Sequence, residues 1–135
     1  MIPKKAANPA GHRPTGYRVL LIDDNAHLLT AVEDGLRLMG HEVKSSAVGA
    51  DAARLMELLE PDVVVADIVM PEVDMFDTFR KLKAINPAAR IIAISGNGHL
   101  LSVAAKLGVA HVLAKPFELK RLDLLIRMAA RAGNS

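Results

Sequence analysis

The stretch Val63-Val64-Val65-Ala66-Asp67, continued by Ile68-Val69-Met70-Pro71, narrows the possible folds more than any other part of the chain. A continuous run of small and β-branched apolar residues reads as a strand buried on both faces, as in a parallel sheet. Such a strand needs parallel neighbours and helices layered over both sides. Asp67 ends the run, so its carboxylate emerges at the carboxyl edge, where open α/β sheets hold their chemistry. Pro71 disfavours an immediate helix and predicts a loop from Asp67 to Asp74.

The rest of the chain repeats this pattern. Arg18–Ile22 reads as a first buried strand ending in Asp23-Asp24-Asn25, where Asp24 or Asn25 can cap a helix. Leu28 or Leu29, Val32, Leu36 and Met39 recur at helical spacing, and Gly40 closes that helix. His41–Ala47 is a more polar strand, which suits a sheet edge. Ala50–Leu59 is a second helix, offering Ala52, Leu55, Met56 and Leu59 for burial. Asp62–Ala66 is the strand that leads into Asp67. Met75–Ile85 is a third helix built on Phe76, Phe79 and Leu82. Arg90–Ile94 is a fourth strand, ending at Ser95-Gly96-Asn97-Gly98. Leu100–Leu107 is a fourth helix, and His111–Ala114 a strand ending at Lys115-Pro116-Phe117. Leu119–Ala130 is the last helix. Five short strands alternating with helices define an α/β fold: a five-stranded parallel sheet with helices on both faces.

Composition removes several classes of chemistry. The 135 residues suit one domain, and a 51% hydrophobic share with 3% aromatic residues requires an aliphatic core. Without cysteine there are no disulfides, thiolate nucleophiles or thiolate metal sites. The five histidines (His12, His27, His41, His99, His111) lack ligand spacing. No run approaches the ~18 apolar residues of a membrane span, and no signal core opens the chain, so a cytoplasmic protein is expected. The pI of about 9.1 invites a nucleic-acid reading. However, Lys4, Lys5 and Arg13 account for three of the 17 basic residues, leaving 14 against 15 acidic ones after residue 16. The basic excess sits on a tail, so no nucleic-acid surface is expected. Residues 1–16, rich in proline and glycine, are expected to be disordered, with 133–135 as a short C-terminal tail.

Reading only the residues after each buried strand gives Asp23-Asp24, Asp67, Ser95 and Lys115-Pro116. In a parallel sheet these share one edge. Three neighbouring carboxylates disfavour one another's ionisation, and a divalent cation resolves the conflict. An all-oxygen acidic set suits Mg²⁺ rather than zinc, and Mg²⁺ sites take substrate phosphate, which points to phosphoryl transfer. Lys115 and the Ser95 hydroxyl can neutralise and hydrogen-bond phosphoryl oxygens. Each residue alone has a plainer reading: a helix cap, a loop aspartate, a turn serine, a surface Lys-Pro turn. Four strand ends supplying complementary groups weigh against four coincidences.

These residues also carry a resemblance. Ile22-Asp23-Asp24, Asp67-Ile-Val-Met-Pro71 with Asp74, Ile94-Ser95-Gly96 and Lys115-Pro116-Phe117 resemble a response-regulator receiver domain of two-component signalling, over roughly residues 17–132. The resemblance implies a doubly wound, flavodoxin-like sheet in the order 2-1-3-4-5. It implies that Asp67 accepts a phosphoryl group from a histidine kinase or a histidine phosphotransfer protein. It further implies that Asp24, Asp67 and the Val69 carbonyl hold Mg²⁺, with Asp23 acting through water. Ser95, followed by Gly96, would hydrogen-bond the phosphoryl group, and Lys115 would pair with it. No output domain follows the last helix, so a stand-alone regulator acting on a downstream protein is expected, unless the chain is part of a longer one. No enzymatic activity is implied beyond self-phosphorylation and autodephosphorylation.

Two positions depart from the family pattern. Met75 stands where the family usually has glycine, so the loop must turn differently or carry strain. Val112 stands where the family usually has a rotating Tyr or Phe, so signalling is expected to rely on Ser95 and the Gly96-Asn97-Gly98 loop shifting the fourth helix. One rival reading is a Mg²⁺-dependent aspartyl-phosphate phosphatase, which needs a second aspartate where Val69 stands. Another is a receiver-like interaction module that never needs phosphate. Lys120, Arg127 and Arg131 lie along one face of the last helix, either solvated or contacting an acidic partner.

Overall fold

The computed structural model describes residues 16–69, 74–88 and 90–132. Residues 1–15, which hold nearly all of the expected disordered tail, lie outside the described residues, as do 70–73 and 133–135. Gly16, placed with that tail by sequence, donates its N–H to the Gly40 carbonyl at 3.0 Å.

Five strands and five helices alternate: β1 (Arg18–Ile22), α1 (Ala26–Leu38), β2 (Glu42–Ser46), α2 (Ala52–Leu59), β3 (Val63–Asp67), α3 (Met75–Ile85), β4 (Arg90–Ser95), α4 (Gly98–Lys106), β5 (His111–Ala114) and α5 (Leu119–Ala132). All strand pairs are parallel, in the order β2-β1-β3-β4-β5. The polar strand β2 is an edge, as its composition predicts. Alternate residues of the central strands enter two separate cores. Leu20, Ile22, Val64 and Ala66 pack with Ala52, Met56, Met75, Phe79, Leu82 and Leu101 of α2, α3 and α4. Val19, Leu21, Val63, Val65, Ile92 and Ile94 pack with Leu29, Val32, Leu36, Leu122 and Ile126 of α1 and α5. Each fully buried aliphatic side chain contributes about 1.5–3 kcal/mol, so burial on both faces holds the sheet between the helix layers.

Helix ends follow local chemistry. Of the two candidate caps before α1, Asn25 serves: its side chain accepts the Leu28 N–H at 3.1 Å. Gly40, at φ 99, lets His41 N–H reach the Leu36 carbonyl, and Gly108 performs the same turn after α4. Sequence starts α4 at Leu100, but the helix begins two residues earlier, at Gly98, with Asn97 as its cap accepting the Leu100 N–H. A 3-10 turn over Gly49–Asp51 precedes α2, where sequence expects one continuous helix.

Two side-chain expectations are corrected. In α3 the buried residues are Met75, Phe79 and Leu82, while Phe76 is half-buried. Met75 is the first helical residue after Asp74, whose carboxylate caps the Phe76 and Asp77 amides. Glu60, at φ 46, is the one non-glycine residue with positive φ among the described residues, so the turn at Met75 is made differently, by a helix start. Arg127 is not on a solvated face. Its guanidinium meets Asp123 Oδ1 and the Met39 carbonyl, each at 3.0 Å, while Lys120 and Arg131 are exposed.

Candidate functional site

Strand register assembles the carboxyl edge. Ile22 pairs with Ala66, so Asp23 follows beside Asp67. Asp67 pairs with Ile94, which puts Ser95 one step on, and Ser95 pairs with Ala114, which puts Lys115 one step beyond that. Four separate segments therefore deliver their polar residues to one place. Asp23, Asp67 and Ser95 are buried (0%, 6% and 0% exposed), whereas Asp24 is exposed.

Lys115 Nζ sits 2.6 Å from Asp23 Oδ2 and 2.9 Å from Asp67 Oδ2. The other oxygens are held by the backbone: Asp23 Oδ1 accepts the Asn25 N–H at 2.9 Å, and Asp67 Oδ1 accepts the Val69 N–H at 2.8 Å. Burial works against the Lys115 charge, but hydrogen bonds to Asp23 and Asp67 and their negative charge outweigh it, raising its pKa above the ordinary 10.5. Asp23, Asp24 and Asp67 each present a carboxylate oxygen within 4.8 Å of the others. One ammonium group against three carboxylates leaves excess negative charge around an all-oxygen donor set, which fits a hard dication such as Mg²⁺.

The serine faces the same edge. Its Oγ accepts the Asn97 N–H at 2.9 Å, and the Ser95 carbonyl accepts the Lys115 N–H at 2.8 Å. That leaves its hydroxyl hydrogen available to an acceptor at the site. Gly96 is exposed, with no atom within 4 Å of where a Cβ would stand. Val112 is half-buried against the core formed with α2, α3 and α4. Sequence placed Lys115 against phosphate but did not foresee it bridging two aspartates. The surplus of carboxylates was the available signal. Backbone donors from Asn25 and Val69 leave no mark in side-chain identity, so they were not legible.

The fold is thus an open doubly wound α/β sheet with an acidic, lysine-braced carboxyl edge. The chain belongs to the response regulator receiver domain family, whose sequence profile matches residues 19–127. The chemotaxis protein CheY of Thermotoga maritima is 36% identical over 110 residues, covering 79% of this chain and 92% of that protein. CheY of Bacillus subtilis is 35% identical over 109 residues, covering 78% and 91%. Longer regulators also match: the DNA-binding transcriptional regulator NtrC of Azospirillum brasilense is 32% identical, with 87% of this chain spanning only 24% of that protein. Among solved structures, a response regulator receiver domain protein from Clostridium thermocellum superimposes with a TM-score of 0.79 at 28% identity, covering 87% of this chain and 96% of that one.

Proposed function

We propose that residues 17–132 form a stand-alone receiver that takes a phosphoryl group onto Asp67 from a histidine kinase or histidine phosphotransfer protein and signals through altered protein contacts. The observation that carries this reading is Lys115 Nζ lying within 3 Å of both buried carboxylates, with Asp24 beside them. An Asp67 carboxylate oxygen attacks the phosphorus of a phosphohistidine. The P–O bond forms as the P–N bond breaks, and the leaving imidazole nitrogen keeps the electron pair. Asp24, Asp67 and the Val69 carbonyl would hold Mg²⁺, with Asp23 acting through water, and the ion supplies charge neutralisation for the phosphoryl oxygens. Lys115 turns from Asp67 to a phosphoryl oxygen, and the Ser95 hydroxyl donates to another.

An apolar groove of about 570 Å³ adjoins Lys115, lined by Leu28, Ala31, Val32, Pro116 and Phe117, and suits a donor protein docking beside Asp67. Output runs through Ser95. Turning its hydroxyl towards phosphate disturbs the Asn97 amide it now accepts, and Asn97 caps α4. With Val112 in place of the family's aromatic, that route does not use a rotating ring. The chain acts in the cytoplasm on a protein target and is not an enzyme toward exogenous substrates.

Fluorine NMR with beryllofluoride tests this reading. A single protein-bound signal is expected with Mg²⁺, lost in EDTA and in Asp67→Asn. No bound signal with Mg²⁺ would favour an interaction module indifferent to phosphate. Sustained hydrolysis of varied phosphomonoesters would favour the phosphatase reading.

A further inference from the structure

A second cavity, of about 500 Å³, opens at the edge of the sheet opposite Asp67. It is lined by the first residues of β4 and β5, one side of α3 from Phe76 to Lys83, the turn after α4 and the end of α5. Arg90 and Ser95 bound the same strand, so the two sites stand roughly 16 Å apart along β4. Phe79 and Ile91, each 6% exposed, form an apolar floor, and Phe76 meets Phe79 edge-to-face at 6.3 Å. The rim is basic. Arg80, Lys83, Arg90 and His111 line the cavity, and among the described residues no acidic one does.

Arg80 is paired with Asp77 at 3.0 Å, outside the cavity wall. The Arg90 Nε is closed off from water with no hydrogen-bond partner among the described residues. A buried donor left so is costly to the fold. Lys83 is held below the ordinary lysine pKa by burial and by the positive charge of Arg90. Two convergent cations over an apolar floor complement a molecule with an apolar body and an acid group. The volume matches small-ligand pockets rather than flat protein interfaces, and Arg90 and Lys83 both line it.

We propose that this cavity binds a small anionic amphiphile, its aliphatic or aromatic body on Phe79 and Ile91 and its carboxylate between Arg90 and Lys83. The proposal stands apart from the chemistry at Asp67. Decanoate is a suitable probe, with decanol as its uncharged counterpart, titrated into the full chain and followed by ¹⁵N–¹H correlation spectra. Decanoate is expected to shift amides of residues 76–83, 90–91 and 107–111. Decanol should bind about tenfold more weakly, the loss of one charge-assisted pair. Arg90→Met keeps the apolar stem and should show a similar loss. Leu107→Glu, at a position 62% exposed, should repel decanoate without disturbing the core. Equal binding of decanol and decanoate overturns the proposal, as does an absence of shifts at these residues. Decanoate binding that appears only after deletion of 133–135 also overturns it, because the chain's own end would then be the occupant.

Discussion

At Met75, where the family usually has glycine, the side chain is 1% exposed and packs with Met56, Phe79 and Leu82 beneath β3. Restoring glycine therefore removes core volume rather than relieving strain. Met75→Gly should destabilise by about 3 kcal/mol in chemical denaturation, and a more stable variant would show that the turn is strained after all. Lys115 acts at the same scale. Its raised pKa gives stability that is complete below lysine's ordinary 10.5 and is lost as pH rises through the higher folded value. Lys115→Met, which leaves Asp23 and Asp67 without their shared cation, should cost about 3 kcal/mol at neutral pH without Mg²⁺. The gap between wild type and variant should then narrow in strongly alkaline solution, followed by thermal melts across pH.

Between elements, α5 is tied to the β1 and β2 edge by a polar chain that sequence did not disclose. The Tyr17 N–H donates to His41 Nδ1 at 2.9 Å, so the ring proton lies on Nε2, which meets Asp123 Oδ1 at 2.6 Å. Arg127 shares that oxygen. His41 and Asp123 lie 82 positions apart, and neither stands in a motif, so nothing local linked them. Asp123→Ala would leave the buried Nε2 without its acceptor and should cost about 2 kcal/mol, read by urea unfolding. In the proposed function, the element that carries output is α4. Because the Ser95 Oγ holds the Asn97 amide at its cap, beryllofluoride with Mg²⁺ should change amide exchange across residues 95–107. Unchanged exchange there would rule out this route.

For the molecule as a whole, the sheet and its acidic edge were legible because buried strands print continuous apolar runs and stop at polar residues. Val63–Ala66 before Asp67 and Arg90–Ile94 before Ser95 each mark both a strand and its functional end. Contacts set by packing were not legible: Met75 reads as a loop departure until α3 is seen to start on it, and Arg127 reads as solvated until α1 and α5 meet. The basic cavity was missed because Arg80, Lys83, Arg90 and His111 come from three elements that converge only in the folded chain. The central claim is that the edge built around Asp67 accepts a phosphoryl group. Incubation with acetyl phosphate and Mg²⁺, followed by intact-mass spectrometry, measures it directly. One labile phosphoryl adduct is predicted, absent without Mg²⁺ and absent in Asp67→Asn. No adduct on the wild-type chain, or an adduct that persists in Asp67→Asn, would contradict the account.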